Sequence, residues 1–428
     1  VEALSPAFRY QLRLSLLVLI CVGVPLWWGL PGQIEAGRAA GIVMGWLGCG
    51  LLLTCLWLML REPRLAAWLG GLERMYRWHH RLGVLAYLCL LVHPLLLAVA
   101  EWQVQPARAW ALLAPLQEGR AVWSGWAALL CLMVGLYFAL MPGEALRYAR
   151  WRQLHGLLGV AVLLGALHLW WLGIDTPLLA LPLLAISLLA WRMLRAHAGL
   201  AARPFLVERV TPLARDAVEV SLRPLQAALP VQAGQFVLAA FFDAPGFHGC
   251  GEYHPYTVSA CDAQGRLALG IKALGDCTRR LQGVRAGVAV RLQGPFGAFL
   301  PATISRPSLW LAGGIGITPF MATLRAGSLS APVHLIYLHR DADDAAYVDE
   351  LHALAQQQPL LTLVVQASGA ALPDLSKLLP QILSDAPQGG SRDCYLCGPP
   401  GLVAAARRVL MQRGVAATQI HDERFDFR

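Results

Sequence analysis

Residues Trp78–Pro94 read WHHRLGVLAYLCLLVHP, a run of Leu, Val and Ala with histidines at both ends and arginines only near the first pair. An imidazole in hydrocarbon needs a partner, because an unpaired polar ring there costs several kcal/mol. Either the ends sit in the headgroup layer with an interhelical hydrogen bond, or the histidines hold a metal. The rest of the chain decides between these.

The chain has 428 residues, of which 57% are apolar and 14% charged. Its mean hydropathy of +0.52 places part of it in lipid. Long apolar runs dominate up to about residue 198, and ordinary globular density follows, so a membrane half precedes a soluble half. The net charge of +9 does not indicate nucleic acid, since no basic stripe or binding module is present. The ten cysteines form no secreted-type framework. Cys394 and Cys397 make a C-x-x-C, but CYLCGPP reads as a strand running into a turn. The chain starts with Val, and no cleavable signal is expected.

Six segments have about the length and apolarity of a membrane span: Leu14–Leu30, Ala39–Leu60, Leu82–Ala100, Ala121–Met141, Leu154–Leu172 and Pro177–Trp191. Basic residues alternate between the loops. Arg9 and Arg13, then Arg61, Arg64, Arg74, Arg77 and Arg81, then Arg147, Arg150 and Arg152, and finally Arg192, Arg195 and Arg203 mark one side. The other side holds only Arg38, Arg108 and Arg120. By the positive-inside rule both termini and the soluble half are cytoplasmic, in a multi-pass protein of the cell (inner) membrane.

The third span carries His79 or His80, then His93; the fifth carries His155 and His168. Separations of 13 or 14 residues correspond to about 20 Å along a helix. Two such helices side by side offer two His–His clamps at two depths, the arrangement that suits two b-type haems with paired axial imidazoles. At about 100° per residue, His79 and His93 differ by roughly 40° in phase, but His155 and His168 by roughly 140°, so the fifth helix must bend or present its ligands to different sides. His79 is preferred over His80 because both helices then share H-x-x-x-G, at His79/Gly83 and His155/Gly159, where a small residue leaves room for a porphyrin edge.

From about Pro204, alternating segments such as AGQFVLAAF predict short antiparallel strands. LWLAGGIGITPFMATL then places a strand before glycines and a helix, which lets backbone N–H groups hold phosphate. Strands and helices alternate from there, in VHLIYLHR, DDAAYVDELHAL, LLTLVVQA and CYLCGPPGLVAAARRVL, which predicts a parallel sheet with ligands at the strands' carboxyl ends. The expected architecture is a membrane α-helical bundle over residues 1–200, a β-barrel domain over 201–303 and an α/β parallel-sheet nucleotide domain over 304–428.

HPYTVS, GIGITP, CGPP and ERFDF, in that order, resemble the ferredoxin–NADP reductase superfamily. Behind a six-span, four-histidine membrane domain, the whole chain resembles the NADPH oxidase / ferric reductase family, particularly its compact prokaryotic members. The resemblance implies that His254, Pro255, Tyr256 and Thr257 bind FAD, with Tyr256 against the flavin and Thr257 near its N5. It implies that Gly275 and Thr278 meet the flavin pyrophosphate and that Gly313, Gly314, Gly316, Thr318 and Pro319 cradle the nicotinamide nucleotide. Cys397, Gly398 and Pro399 would line the nicotinamide side, and Phe425, or alternatively Phe427, would cover the flavin. Thr257, Cys397 and Phe425 would then stand at the hydride-transfer site. Arg340 is placed to take a 2′-phosphate, which favours NADPH over NADH. His79, His93, His155 and His168 would be the haem ligands.

The expected activity is passage of electrons from NAD(P)H through FAD and two haems to an acceptor on the outer side. Dioxygen, a ferric chelate and a periplasmic redox protein are the acceptors considered. In the oxidases a further His stands one turn beyond the outer ligand; here that position is Leu97. Two other classes are a haem-carrying sensor, which predicts no sustained turnover, and a flavin reductase tethered to membrane, which predicts no haem absorbance.

Overall fold

The computed structural model describes residues 6–30, 32, 35–114, 119–141, 148–174, 178–327, 329–369, 374–384 and 392–423. The described residues divide into two units, one running up to Leu200 and one starting at Ala201.

The first unit is helical: α1 (Pro6–Gly29), α2 (Ala36–Leu58), α3 (Pro63–Leu69), α4 (Leu72–Val104), α5 (Pro106–Leu113), α6 (Arg120–Leu140), α7 (Tyr148–His155), α8 (Leu157–Trp171) and α9 (Ala180–Arg192). Among the described residues, five stretches are long and apolar enough to cross a membrane, with α7 and α8 counted together as Arg150–Trp171. The sixth expected span forms α9, but with only 13 helical residues before a π-helical turn at Met193–His197. It is shorter than a span of about 20 residues. Large apolar side chains such as Leu19, Trp27, Leu130, Tyr137 and Leu183 point outward, as a lipid-facing surface requires. Inside, α2 packs along α4 and α6 along α8. Glycines on α2 make the first approach possible, since a Cβ at Gly48 would lie 2.4 Å from Leu90 Cγ.

The fifth span is not one continuous helix. It is interrupted at Gly156, whose N–H reaches the carbonyls of both Arg152 and Gln153. Gly156 itself keeps α-helical angles, φ −59° and ψ −24°, so the chain passes directly from α7 into α8.

The second unit opens with a closed antiparallel barrel of β1 (Arg203–Ala214), β2 (Ala217–Pro224), β3 (Phe236–Phe241), β4 (His254–Cys261), β5 (Leu267–Lys272) and β6 (Ala289–Phe296), in the order β1-β2-β5-β4-β3-β6. Period-2 alternation sends Val218, Val220 and Leu222 of β2 into the barrel core with Phe205, Val237 and Leu292. A short helix, α10 (Asp276–Leu281), follows β5. The chain then builds β7 (Ser308–Gly313), α11 (Thr318–Ala326), β8 (Val333–His339), α12 (Val348–Gln357), β9 (Leu361–Ala367), α13 (Leu375–Ser384), β10 (Asp393–Cys397), α14 (Pro400–Gln412) and β11 (Ile420–Glu423). The five strands form a parallel sheet in the order β11-β10-β7-β8-β9. The direction of winding reverses between β7 and β10, which makes the space beyond their carboxyl ends the topological switch point where such sheets take ligands.

A buried polar cluster joins barrel and sheet. Arg325 of α11 donates from Nη1 to Glu219 Oε1 of β2 at 2.7 Å and from Nε to Glu350 Oε1 of α12 at 2.6 Å. Ser259 and Tyr347 donate to the same Glu219 oxygen. Burial by itself would raise the Glu219 carboxyl, but Arg325, Ser259 and Tyr347 together hold it below the usual carboxylate range.

Candidate functional site

The first unit brings the four histidines together in two pairs. His79 of α4 stands 6.3 Å from His155, ring centre to ring centre, with the planes at 59°. His80 is exposed, so His79 is the member of that neighbouring pair which faces the fifth span. His93 and His168 are close enough to interact electrostatically. Two imidazoles on opposite sides of one ion, each with a metal–nitrogen bond of about 2 Å, have ring centres roughly 6 Å apart. The inner pair has that spacing.

Three of the rings are locked from behind. His79 Nδ1 donates to the Cys55 carbonyl at 3.0 Å, His93 Nδ1 to the Gly41 carbonyl at 2.7 Å and His168 Nδ1 to the Ala121 carbonyl at 2.7 Å. A carbonyl can only accept, so each of these Nδ1 atoms carries its proton and each Nε2 keeps a free lone pair. That is the tautomer a metal ligand needs.

Glycines cut the seats. A Cβ at Gly45 would lie 2.8 Å from His93 Nδ1, and one at Gly125 would lie 2.9 Å from His168 Nδ1. The two seats repeat each other: Ala121, Gly125 and Trp126 on α6 each follow Gly41, Gly45 and Trp46 on α2 by 80 residues. Both indoles also donate to a backbone carbonyl, Trp46 to Gly29 and Trp126 to Leu112. The sequence reading missed these seats. The repeated G-W dipeptide at Gly45–Trp46 and Gly125–Trp126 was the signal that could have found them.

In the second unit, His254 opens β4 half-buried, 3.6 Å from Glu252, and Pro255 follows it. Tyr256 turns inward beside Val258, 6% exposed, with its ring edge-on to Phe241. Its hydroxyl is enclosed with no hydrogen-bond partner among the described residues, and burial pushes its pKa up. Thr257 points the other way along the strand and is also buried.

Gly275 caps α10 and is exposed to open space. Thr278 stands three residues into the helix, and its hydroxyl accepts from the Gly275 and Leu274 N–H groups. A disulfide between Cys277 of α10 and Cys250 ties this helix to the segment before β4, with the Cα atoms 5.8 Å apart. The sequence reading assigned no pairing to either cysteine.

At the switch point the glycines divide their labour. A Cβ at Gly316 would lie 2.4 Å from the Cys397 carbonyl oxygen, and one at Gly313 would lie 2.5 Å from Leu402 Cδ2. Those two glycines let the loops after β7 and β10 pack backbone to backbone. Gly314 instead has a left-handed φ of 54° and nothing within 4 Å of its Cβ position, so its backbone faces open space. Thr318 starts α11, its hydroxyl bonded to the Ile315 carbonyl, and Pro319 follows within the first turn. Gly398, at φ 157°, meets Gly313, and Pro399 precedes α14.

Cys397 is buried at the end of β10, where burial and then the Glu423 carboxylate hold its thiol well above the ordinary value. It is a neutral thiol. Cys394, pushed up to about 12 by burial, packs in the core on the opposite sheet face, so the two cysteines cannot share a metal or form an intrachain bridge. Arg340 is exposed just past β8, its carbonyl accepting from Gly369. Phe425 and Phe427 lie outside the described residues.

The structure defines a class: an apolar helical unit with paired imidazoles, followed by an antiparallel barrel and a parallel nucleotide-type sheet. Comparison with known proteins agrees with this division. Residues 44–166 match the family described as "Ferric reductase like transmembrane component", and residues 310–408 match "Oxidoreductase NAD-binding domain". One part of the chain is thus similar to a ferric reductase transmembrane component and another to an oxidoreductase NAD-binding domain.

Among curated relatives, the toluate 1,2-dioxygenase electron transfer component of Pseudomonas putida is 31% identical over 41% of this chain and 55% of its own length. The reductase component of the naphthalene 1,2-dioxygenase/salicylate 5-hydroxylase systems of a Ralstonia species is 30% identical over 40% and 55%. The chain therefore spans about half the length of these relatives. Among solved structures, the FAD/NAD-binding domain of a nitric oxide dioxygenase from Vibrio cholerae O1 biovar El Tor aligns with a TM-score of 0.44 at 23% identity, over 52% of this chain and 98% of that one.

Proposed function

We propose that this chain is a multi-pass oxidoreductase of the inner membrane. In this reading it passes electrons from cytoplasmic NAD(P)H, through FAD and two haems of the b type, to a one-electron acceptor on the outer side. The observation that carries the reading is the His79–His155 pair, 6.3 Å apart, with a second pair, His93 and His168, deeper along the same helices. No tethered flavin reductase needs imidazoles so arranged, and three of the rings are held with Nδ1 on a carbonyl and Nε2 free to bind.

FAD when bound would accept hydride and deliver single electrons, and the haems would relay them across the bilayer. The chain's residues would do the rest. His79 and His155 would hold the inner group, and His93 and His168 the outer one, with the Cys55, Gly41 and Ala121 carbonyls orienting three of the rings. The Tyr256 hydroxyl, enclosed without a partner, suits a ribityl hydroxyl arriving with the flavin. Thr257 would stand near N5, His254 and Pro255 would flank the flavin, and Gly275 and Thr278 would border the pyrophosphate. Phe425 would cover the ring.

Gly314 would present backbone N–H to the nicotinamide nucleotide, with Gly313, Gly316, Thr318 and Pro319 shaping the cradle. Cys397, Gly398 and Pro399 would line the nicotinamide side, Cys397 as an uncharged wall. Arg340 would select the 2′-phosphate of NADPH. The basic loops support a cytoplasmic location for both termini.

With His93 and His168 both holding the outer group, the acceptor would take electrons from that group's edge. Dioxygen, giving superoxide, and a ferric chelate both meet that condition. Leu97, one turn beyond His93, packs over Gly41 and offers no polar group for oxygen, which favours the chelate.

The test is anaerobic. Full-length protein with FAD receives NADPH while the haem bands are followed; oxygen with superoxide dismutase, or a ferric chelate, is then admitted. Haem reduction that requires FAD supports the reading. Folded protein with no haem band overturns it.

A further inference from the structure

The bridge between Cys250 and Cys277 is out of keeping with a cytoplasmic soluble unit. Disulfides persist in oxidising compartments and are rare in the cytoplasm, where those that form are chiefly transient, catalytic or redox-sensing. The other eight cysteines are free thiols. Cys394 and Cys397 are sealed in the sheet, but Cys250 and Cys277 are only half-buried, within reach of a soluble thiol or oxidant.

The two ends of the bridge are held with different firmness. Cys250 lies in a segment fastened to the end of β3. The Gly251 N–H donates to the Phe241 carbonyl at 2.9 Å, the Gly249 N–H donates to Asp243 Oδ1 at 2.8 Å, and a Cβ at Gly249 would lie 2.3 Å from that same Phe241 oxygen. Cys277 stands instead in the first turn of α10, a helix of six residues. A helix so short has no stability of its own in water. Its far end is fixed by Leu281, buried in the barrel core, and by the Gln282 amide, which donates to the Ile271 carbonyl. The first turn is held less well. Leu274, Asp276 and Arg279 are exposed, and the Thr278 hydroxyl bonds back to the local backbone of Leu274 and Gly275. The bond to Cys250 is what ties this turn to the barrel.

The bridge also joins the two segments given to the flavin. Cys277 lies between Gly275 and Thr278, and the strand carrying His254, Pro255, Tyr256 and Thr257 begins four residues after Cys250. Resting on the flavin reading and the cytoplasmic placement above, we propose that Cys250 and Cys277 form a reversible thiol–disulfide site that sets how firmly the chain holds FAD. Oxidised, the bridge keeps Gly275 and Thr278 in place before the flavin arrives. Reduced, the first turn of α10 is free to open, and binding must order it again.

The chemistry closes with two co-reactants. A dithiol reductant of the thioredoxin class breaks the S–S bond through a mixed disulfide; two electrons and two protons pass to Cys250 and Cys277, and the reductant leaves as a disulfide. Hydrogen peroxide reverses this. One thiolate attacks the O–O bond to give a sulfenic acid and water, and the second thiol displaces a further water as the S–S bond forms.

The experiment follows flavin fluorescence as FAD leaves the purified full-length chain, after dithiothreitol and again after its removal and treatment with hydrogen peroxide. Iodoacetamide labelling with mass spectrometry reads the two cysteines in each state. Dithiothreitol is expected to expose Cys250 and Cys277 to label and to weaken FAD binding about tenfold, the order set by one or two groups that must be ordered on binding; peroxide restores both. Cys250→Ser and Cys277→Ser hold FAD as weakly as the reduced parent and respond to neither reagent. Should those variants fail to fold, the parent's own cycle of weakening and recovery decides.

A labelling pattern that neither reagent changes, equal FAD affinity in the two states, or a full dithiothreitol response in Cys277→Ser overturns the inference and leaves the flavin reading intact. Failure of the oxidised parent to bind FAD at all overturns that reading, and the inference with it.

Discussion

The membrane unit and the soluble unit build their candidate sites in opposite ways. In the helical unit the chemistry sits on side chains projecting from the middle of long helices, and the backbone serves as their support through the carbonyls of Gly41, Cys55 and Ala121. In the soluble unit the ligand-facing surface is largely backbone, at loop ends where Gly313, Gly314, Gly316 and Gly398 remove side chains altogether. The difference follows from solvent. Within a bilayer irregular backbone is expensive, so function must be carried by side chains projecting from helices. In water the ends of strands can open into loops whose N–H groups are free to bind.

The comparison predicts that damage stays within the unit that is struck. The largest effect is expected from His93→Ala or His168→Ala, which should remove the outer centre, about half of the haem absorbance of a two-centre chain, and abolish reduction of external acceptors. Flavin reduction by NADPH should persist. Loss of flavin reduction in the same variants would break the division.

Next is Glu219→Gln, which leaves Arg325 short of one buried partner and should destabilise the soluble unit by about 3 kcal/mol. Thermal unfolding followed by flavin release would measure it. The Glu219 carboxyl is held low, so its contribution is present above the unfolded carboxylate pKa, about 4.3, and is lost as the pH falls through the depressed folded value. The gap between variant and parent should therefore be constant near neutrality and close only in acid.

Gly125→Ala should cost roughly 1–3 kcal/mol by pushing the His168 ring out of its seat, seen as weaker haem retention with an unchanged inner spectrum. Gly316→Ala forces the loops after β7 and β10 apart and should raise the KM for NADPH with the flavin spectrum retained. The smallest expected effect is at Arg340. Arg340→Ala should shift the NADPH-to-NADH preference by about tenfold or less, since an exposed charge pair contributes little more than about 1 kcal/mol.

Several of these features were readable in the chain alone. The alternation of β2, the strand–glycine–helix order after Ser308 and the spacing of His79 from His93 all follow from local repeat distances of 2.0 or about 3.6 residues. The phase mismatch between His155 and His168 was readable too, and it left open whether the fifth span bends or presents its histidines to different sides. The sixth span, read as Pro177–Trp191, forms the helix Ala180–Arg192, which runs on into a π turn at Met193.

What the sequence determined, then, were the two-part organisation, the depths of the histidines and the position of the glycine-rich loop. Each is set by residues within a few turns or strands of one another, where backbone geometry is fixed. Only the tertiary structure set His79 rather than His80 beside His155, separated Cys394 from Cys397 on opposite sheet faces, paired Cys250 with Cys277 and joined Arg325 to Glu219. It also decided which imidazoles find a carbonyl. Those contacts cross from 24 to 106 residues of chain, and whether a ring meets a carbonyl or a leucine depends on how two helices pack, which no local repeat encodes.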